Sequence, residues 1–151
     1  MEPISIAASL ITVIGLVGKV AKGLKNVQIA RGAPAEFLAL VNEVSDFQII
    51  LDEFKAVLSD HLSGIEESRR DSVHKILQNS TDTLLELEKL IYHRLVKSYD
   101  GHGSAKVSRM AWLSNKDEIG SIRLKLKDER NNLALFIASL TSCVLSLGLW
   151  S

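Results

Sequence analysis

Few residues in this chain can do chemistry, and their spacing leaves most of them without partners. The four histidines are His61, His74, His93 and His102, and no two stand three or four residues apart. That separation is what puts two ligands on one helix face. The nearest glutamate-to-histidine approach, Glu88 to His93, spans five residues, so neither an HExxH nor a Glu-x-x-His set is present. Gly101-His102-Gly103 lacks the third glycine and following helix of a dinucleotide site. The single cysteine, Cys143, excludes an internal disulfide and a cysteine-based zinc site, and its apolar setting reads as a buried, inert thiol. The carboxylate pairs Asp52-Glu53, Glu66-Glu67 and Asp128-Glu129 read as solvated helix faces. These observations predict a protein that is not an enzyme and has neither cofactor nor metal. The basic run Arg123, Lys125, Lys127 and Arg130 is interrupted by Asp128 and Glu129 and has no aromatics to stack bases, so a nucleic-acid partner is not expected.

The N-terminal segment carries the most physical information. From Ile4 to Leu24 the large apolar positions include Ile4, Ile6, Leu10, Ile11, Val13, Ile14, Leu16, Val17 and Val20, with Ala7, Ala8, Gly15 and Gly18 between them. Ala8, Thr12, Gly15 and Gly18 form an imperfect small-residue stripe. Small residues let helices approach closely. Each glycine inside a helix costs about 1 kcal/mol relative to alanine, so two in one turn need a reason. Close packing in a bundle is one reason, and assembly of inserted helices in a membrane is another. Lys19, Lys22 and Lys25 follow and could meet anionic lipid.

The charge pattern agrees with a chain of distinct parts. The 151 residues hold 18 bases and 18 acids, so net charge is zero. Residues 1–35 carry four bases against Glu2 alone, residues 36–100 thirteen acids against seven bases, and residues 101–151 seven bases against four acids. Two stretches have no charge: Pro3 to Gly18 and Asn131 to Ser151. A membrane span needs about 20 apolar residues. The first stretch reaches that length only if it runs on to Leu24 with Lys19 and Lys22 snorkelling. The second is long enough but diluted by Asn131, Asn132, Ser139, Thr141, Ser142 and Ser146. A secretory signal does not fit, because the basic residues follow the apolar stretch and Glu2 precedes it.

Hydrophobic spacing supplies the elements, which read as helices and no strands. A first helix is predicted over about 4–29, punctuated by Gly32 and Pro34. A second begins near Pro34, with Phe37, Leu40, Val41, Val44, Phe47, Leu51, Phe54 and Leu58 on one face. After Gly64 a third carries Val73, Ile76, Leu77, Leu84, Leu87, Ile91 and Leu95, with a kink expected at Asn79-Ser80. The glycines near 99–109 mark a loop, and a short turn about Met110, Trp112 and Leu113 follows. Asn115 with Glu118 resembles a capping box, starting a last helix near Lys116 with Ile119, Ile122, Leu126, Leu133, Phe136, Ile137, Leu140 and Val144 as its stripe. The expected fold is all-α: one domain over 1–151, an antiparallel bundle of four long helices with a short extra turn before the last.

The opening Pro3-Ile4-Ser5-Ile6-Ala7-Ala8-Ser9, with Gly15-Leu16 after it, resembles the start of N-terminal domains of fungal STAND (NLR-like) receptors, of the HeLo-like group. Glu43-Val44-Ser45, Arg109-x-x-Trp112 and Arg130-Asn131-x-Leu133-x-Leu135 are similar to later parts of that pattern. The resemblance implies a helical domain of regulated cell death and innate immunity. Such a domain is oligomerised by an upstream receptor or other signalling protein, and then permeabilises a membrane through its first helix. Carried over by residue, the membrane-inserting and oligomerising set is Ile4, Ile6, Ala8, Leu10, Ile11, Ile14, Gly15, Leu16 and Gly18. Lys19, Lys22 and Lys25 would contact anionic lipid. The implied partners are a second copy of the chain, the upstream receptor and membrane lipids. The implied location is cytoplasmic at rest and the plasma membrane when active. No nucleotide-binding region or repeat array follows, unlike the larger receptors, which fits either an excised domain or a stand-alone protein. Two other readings stay open: a soluble helical interaction or adaptor domain without lipid activity, and a tail anchor over Leu133 to Trp150.

Overall fold

A computed structural model of the chain describes residues 3–29, 35–61, 67–99, 105–107 and 109–150. Four long helices dominate: α1 (Pro3–Lys25), α2 (Ala35–His61), α3 (Glu67–Lys89) and α5 (Lys116–Trp150). The six-residue helix α4 (Arg109–Ser114) precedes the last, at the position of the predicted extra turn. The fold class is an all-α bundle.

α1 packs on α2 and α3, and α5 packs on the same two, so α1 and α5 sit diagonally across the bundle. Cross-helix pairs give the directions. Arg69–Ser139, Thr83–Glu129 and Glu86–Lys125 descend along α5 as they ascend α3, so those helices run antiparallel. Glu36–Lys116, Asp46–Arg130 and Phe54–Phe136 ascend together, so α2 and α5 run parallel. Ala8 and Thr12 lie beside His74 and Asp82, and Lys19 lies beside Glu88, so α1 and α3 are parallel too. Direction alternates along the sequence, as in an antiparallel bundle. Around the ring, however, two of the four neighbouring pairs are parallel.

Most of the predicted stripes form the core; Val41, Ile76 and Phe136 are half-buried against it, and the Val144 side chain lies outside the described ones. Leu40, Val44, Phe47, Leu51 and Phe54 of α2, Val73, Leu77, Leu84 and Leu87 of α3, and Ile122 and Leu133 of α5 are fully buried. Fully burying such a side chain stabilises the fold by roughly 1.5–3 kcal/mol before ordering costs. Phe37 meets Trp112 edge-to-face at 5.6 Å, and Phe54 meets Phe136 at 5.8 Å.

Four local expectations are revised. The first helix ends at Lys25 instead of near Ile29, where Asn26 makes a turn and Val27–Ile29 becomes strand β1. The β-branched Val27 and Ile29 suit extended backbone. β1 pairs parallel with β3 (Ala105–Val107), which pairs antiparallel with β2 (Val96–Tyr99). This three-stranded sheet is an addition to a helices-only reading, and it corrects the predicted 99–109 loop, since Tyr99 ends β2 and β3 falls inside that span; residues 100–104 and 108 lie outside the described ones. Third, α3 runs unbroken through Asn79-Ser80. The hydroxyls of Ser80, Thr81 and Thr83 donate to carbonyls four residues back, absorbing their polarity within the helix. The irregularity falls later, in a π-helical segment over Leu90–Leu95 that lets Leu90, Ile91 and Leu95 all turn inward. Fourth, α5 starts at Lys116 as expected, but the Asn115 amide donates to the Ala111 carbonyl and Glu118 pairs with Arg94. Both members of the predicted capping box are therefore engaged elsewhere.

Candidate functional site

α1 is rich in residues that favour burial, and the bundle uses half of its surface. Ile6, Leu10, Val13, Val17, Val20, Ala21 and Leu24 recur every three or four residues and are buried. The opposite face carries Ala8, Ile11, Thr12, Gly15, Lys19 and Lys22, all exposed, with Ile11 63% exposed. Ile14, Leu16 and Gly18 lie half-buried on the flanks. The sequence-predicted inserting set is thus split between the two faces. Ile6 and Leu10 are in the core, Ala8, Ile11 and Gly15 are outside, and Ile4's side chain lies outside the described ones.

The outer face has no charge until Lys19. The Thr12 hydroxyl donates to the Ala8 carbonyl at 3.0 Å, so even this polar group is satisfied within its own helix. The segment Ile6–Lys25 is long and apolar enough to cross a bilayer, and a third of its most apolar window is buried inside the bundle. Lys19, Lys22 and Lys25 are exposed in the last turns, where the helix dipole favours cations. Lys19 reaches Glu88 at 3.6 Å.

The glycines divide by what surrounds them. A Cβ on Gly15 would meet nothing within 4 Å, and one on Gly18 would make an ordinary contact with Gln48 at 3.9 Å. Neither position needs glycine for packing in the bundle. Gly23 does: a Cβ there would lie 2.6 Å from the Tyr92 hydroxyl. Sequence reading passed over Gly23 because its partner sits 69 residues away in the π-helical segment, and no local signal connects the two.

A groove beside the outer face is lined by Ala8, Ser9 and Thr12 of α1 and by His74, Gln78, Thr81 and Asp82 of α3. His74 thus stands beside α1. Among the described residues, no group of three His, Cys, Asp or Glu side chains could hold a metal ion. The Cys143 side chain and His102 lie outside the described residues. One acidic pair departs from its expected role. Asp128 is exposed, but Glu129 is only 8% exposed, wedged between α5 and α3 instead of lying on a solvated face.

Comparison with protein-family models, with characterised proteins and with solved structures returns no match.

Proposed function

We propose that this domain is a membrane-permeabilising effector whose α1 serves the resting bundle and, once chains are brought together, leaves it to enter a bilayer and self-associate. The observation that carries this reading is the placement of Gly15 and Gly18. Each costs helix stability of about 1 kcal/mol, and the bundle packs nothing against them that an alanine would displace. Close approach of a second α1 along Ala8, Thr12, Gly15 and Gly18 would supply the missing reason. The uncharged outer face, the internally satisfied Thr12 and the three terminal lysines support the same reading. Near anionic lipid each lysine is worth about 1 kcal/mol. The resemblance to HeLo-like domains implies the same cell-death activity, with an upstream receptor as trigger, cytoplasmic at rest and at the plasma membrane when active.

Bundle and bilayer compete for one apolar surface, so a trigger must favour the released state by differential binding. A soluble interaction module is the second reading, favoured by the buried face of α1, which anchors it firmly in the core. Dye release from anionic and neutral liposomes separates the two. Deleting residues 1–18 would strip Ile6, Leu10, Val13 and Val17 from the core. The informative controls are therefore the outer-face variants Ile11→Glu and Gly15→Leu, which leave the core in place. Leakage that needs anionic lipid and is lost in both variants supports the effector. Absence of leakage from the intact chain, even when it is forced to oligomerise, leaves the interaction module.

A further inference from the structure

Glu129 stands apart from the surface chemistry of α1. Its carboxyl lies in the seam between α3 and α5, 8% exposed, with Oε1 2.8 Å from the Thr83 hydroxyl. Oε2 is buried without a hydrogen-bond partner. The Thr83 hydroxyl is also 2.9 Å from the Asn79 carbonyl. A hydroxyl has one proton to donate, yet both neighbours are acceptors when Glu129 is ionised. An ionised Glu129 must accept the hydrogen bond from that hydroxyl, leaving two oxygens of Thr83 and Asn79 facing each other, and it still holds a charged oxygen with no donor. A protonated Glu129 resolves both contacts. Its O–H donates to Thr83, whose own O–H donates to Asn79, and the remaining oxygen is neutral.

We propose that Glu129 is a proton-gated latch between α3 and α5, protonated in the closed bundle and loosening the seam when it ionises. The surrounding charges do little to hold the anion. On α5, Lys125 is engaged with Glu86 of α3 at 3.1 Å, and Asp128 adjoins Glu129. From α3, Asp82 adds a further negative charge, while the acids of α2 that reach α5, Glu43 and Asp46, are paired with Arg130. Burial pushes the carboxyl up to about 7, helped by Asp128 and Asp82 and opposed by the Thr83 bond and Lys125. The latch acts on α3, the helix against which α1 rests, but it stands independently of any membrane activity.

The test is a carbon-13 titration of side-chain carboxyls in the intact chain, paired with urea unfolding of wild type and Glu129→Gln at about pH 5 and pH 8. The latch predicts a Glu129 midpoint above about pH 6. It also predicts that the wild-type unfolding constant rises at least about tenfold over this interval relative to Glu129→Gln, since one proton is released on unfolding. A midpoint below about 5, or parallel pH profiles for wild type and Glu129→Gln, overturns the proposal. The titration decides the matter if Glu129→Gln does not fold.

Discussion

Ile11→Glu is the substitution that most sharply separates the fold of this domain from its proposed activity. Ile11 is 63% exposed, so replacing it removes little buried surface. Glutamate is a slightly better helix former than isoleucine, and an acid in the N-terminal half of a helix is not opposed by the dipole. Bundle stability should therefore stay within about 0.5 kcal/mol of wild type, as for surface changes generally. In a bilayer the balance differs. Isoleucine contributes about 0.5 kcal/mol to insertion, and an acidic side chain at the centre of a span costs about 3 kcal/mol. The sum, about 3.5 kcal/mol, lowers insertion of each chain by roughly 300-fold. Dye release from anionic vesicles should fall to background, while urea unfolding followed by circular dichroism stays unchanged. Wild-type leakage from a normally folded Ile11→Glu chain would refute insertion of α1.

Four further outcomes follow from the same geometry. Gly15→Leu meets open space, so it should stabilise the resting bundle by up to about 1 kcal/mol while abolishing leakage; thermal unfolding and dye release read the two effects. Leu77→Ala, fully buried in α3 beside Ala8 and Thr12, should cost about 2–5 kcal/mol and raise leakage by freeing α1, measured by denaturation and dye release together. Gly23→Ala drives a Cβ toward the Tyr92 hydroxyl and should destabilise by about 1–2 kcal/mol despite better helix propensity. Adding Tyr92→Phe should recover most of that loss in a double-mutant cycle. The raised Glu129 carboxyl, near 7 when folded against an ordinary 4.5, binds its proton more tightly in the folded state. Its contribution is complete below about pH 4.5 and is lost as pH rises to about 7. At 1.36 kcal/mol per unit the limit is about 3 kcal/mol, reduced to about 1–3 by residual solvent access, and urea midpoints across that window check it.

The helices were legible because each carries its own signal. Phe37, Leu40, Val41, Val44, Phe47, Leu51, Phe54 and Leu58 are spaced for one face, and all are buried except the half-buried Val41. Periodicity says that a face is buried but not against which helix, so the diagonal placement of α1 and α5 could not be read from it. The short strands escaped because three or four residues are too few to show a period. Glu129 looked like a surface acid beside Asp128, since one step along a helix turns a side chain by 100°, and only the position of α3 decides which of the two is covered. At the candidate site, sequence marked the apolar run, the glycines and the lysines. It could not divide the run into Ile6, Leu10 and Val13 inside and Ala8, Ile11 and Gly15 outside, because apolar residues occupy both faces.

For the proposed activity α1 must leave the bundle, and a tether that holds it there tests this most directly. Ser9 of α1 and Gln78 of α3 line one groove between their helices, and Ser9 lies outside the small-residue stripe of α1. Cysteines at these two positions, in a Cys143→Ser background, can be joined by a short bis-maleimide linker containing a cleavable disulfide. Dye release from anionic liposomes is then measured before and after reduction. Release of α1 as the active step predicts no leakage from the linked chain and recovery once the linker is cut. Equal leakage in both states would show that the membrane is breached with α1 still in place, and would contradict it.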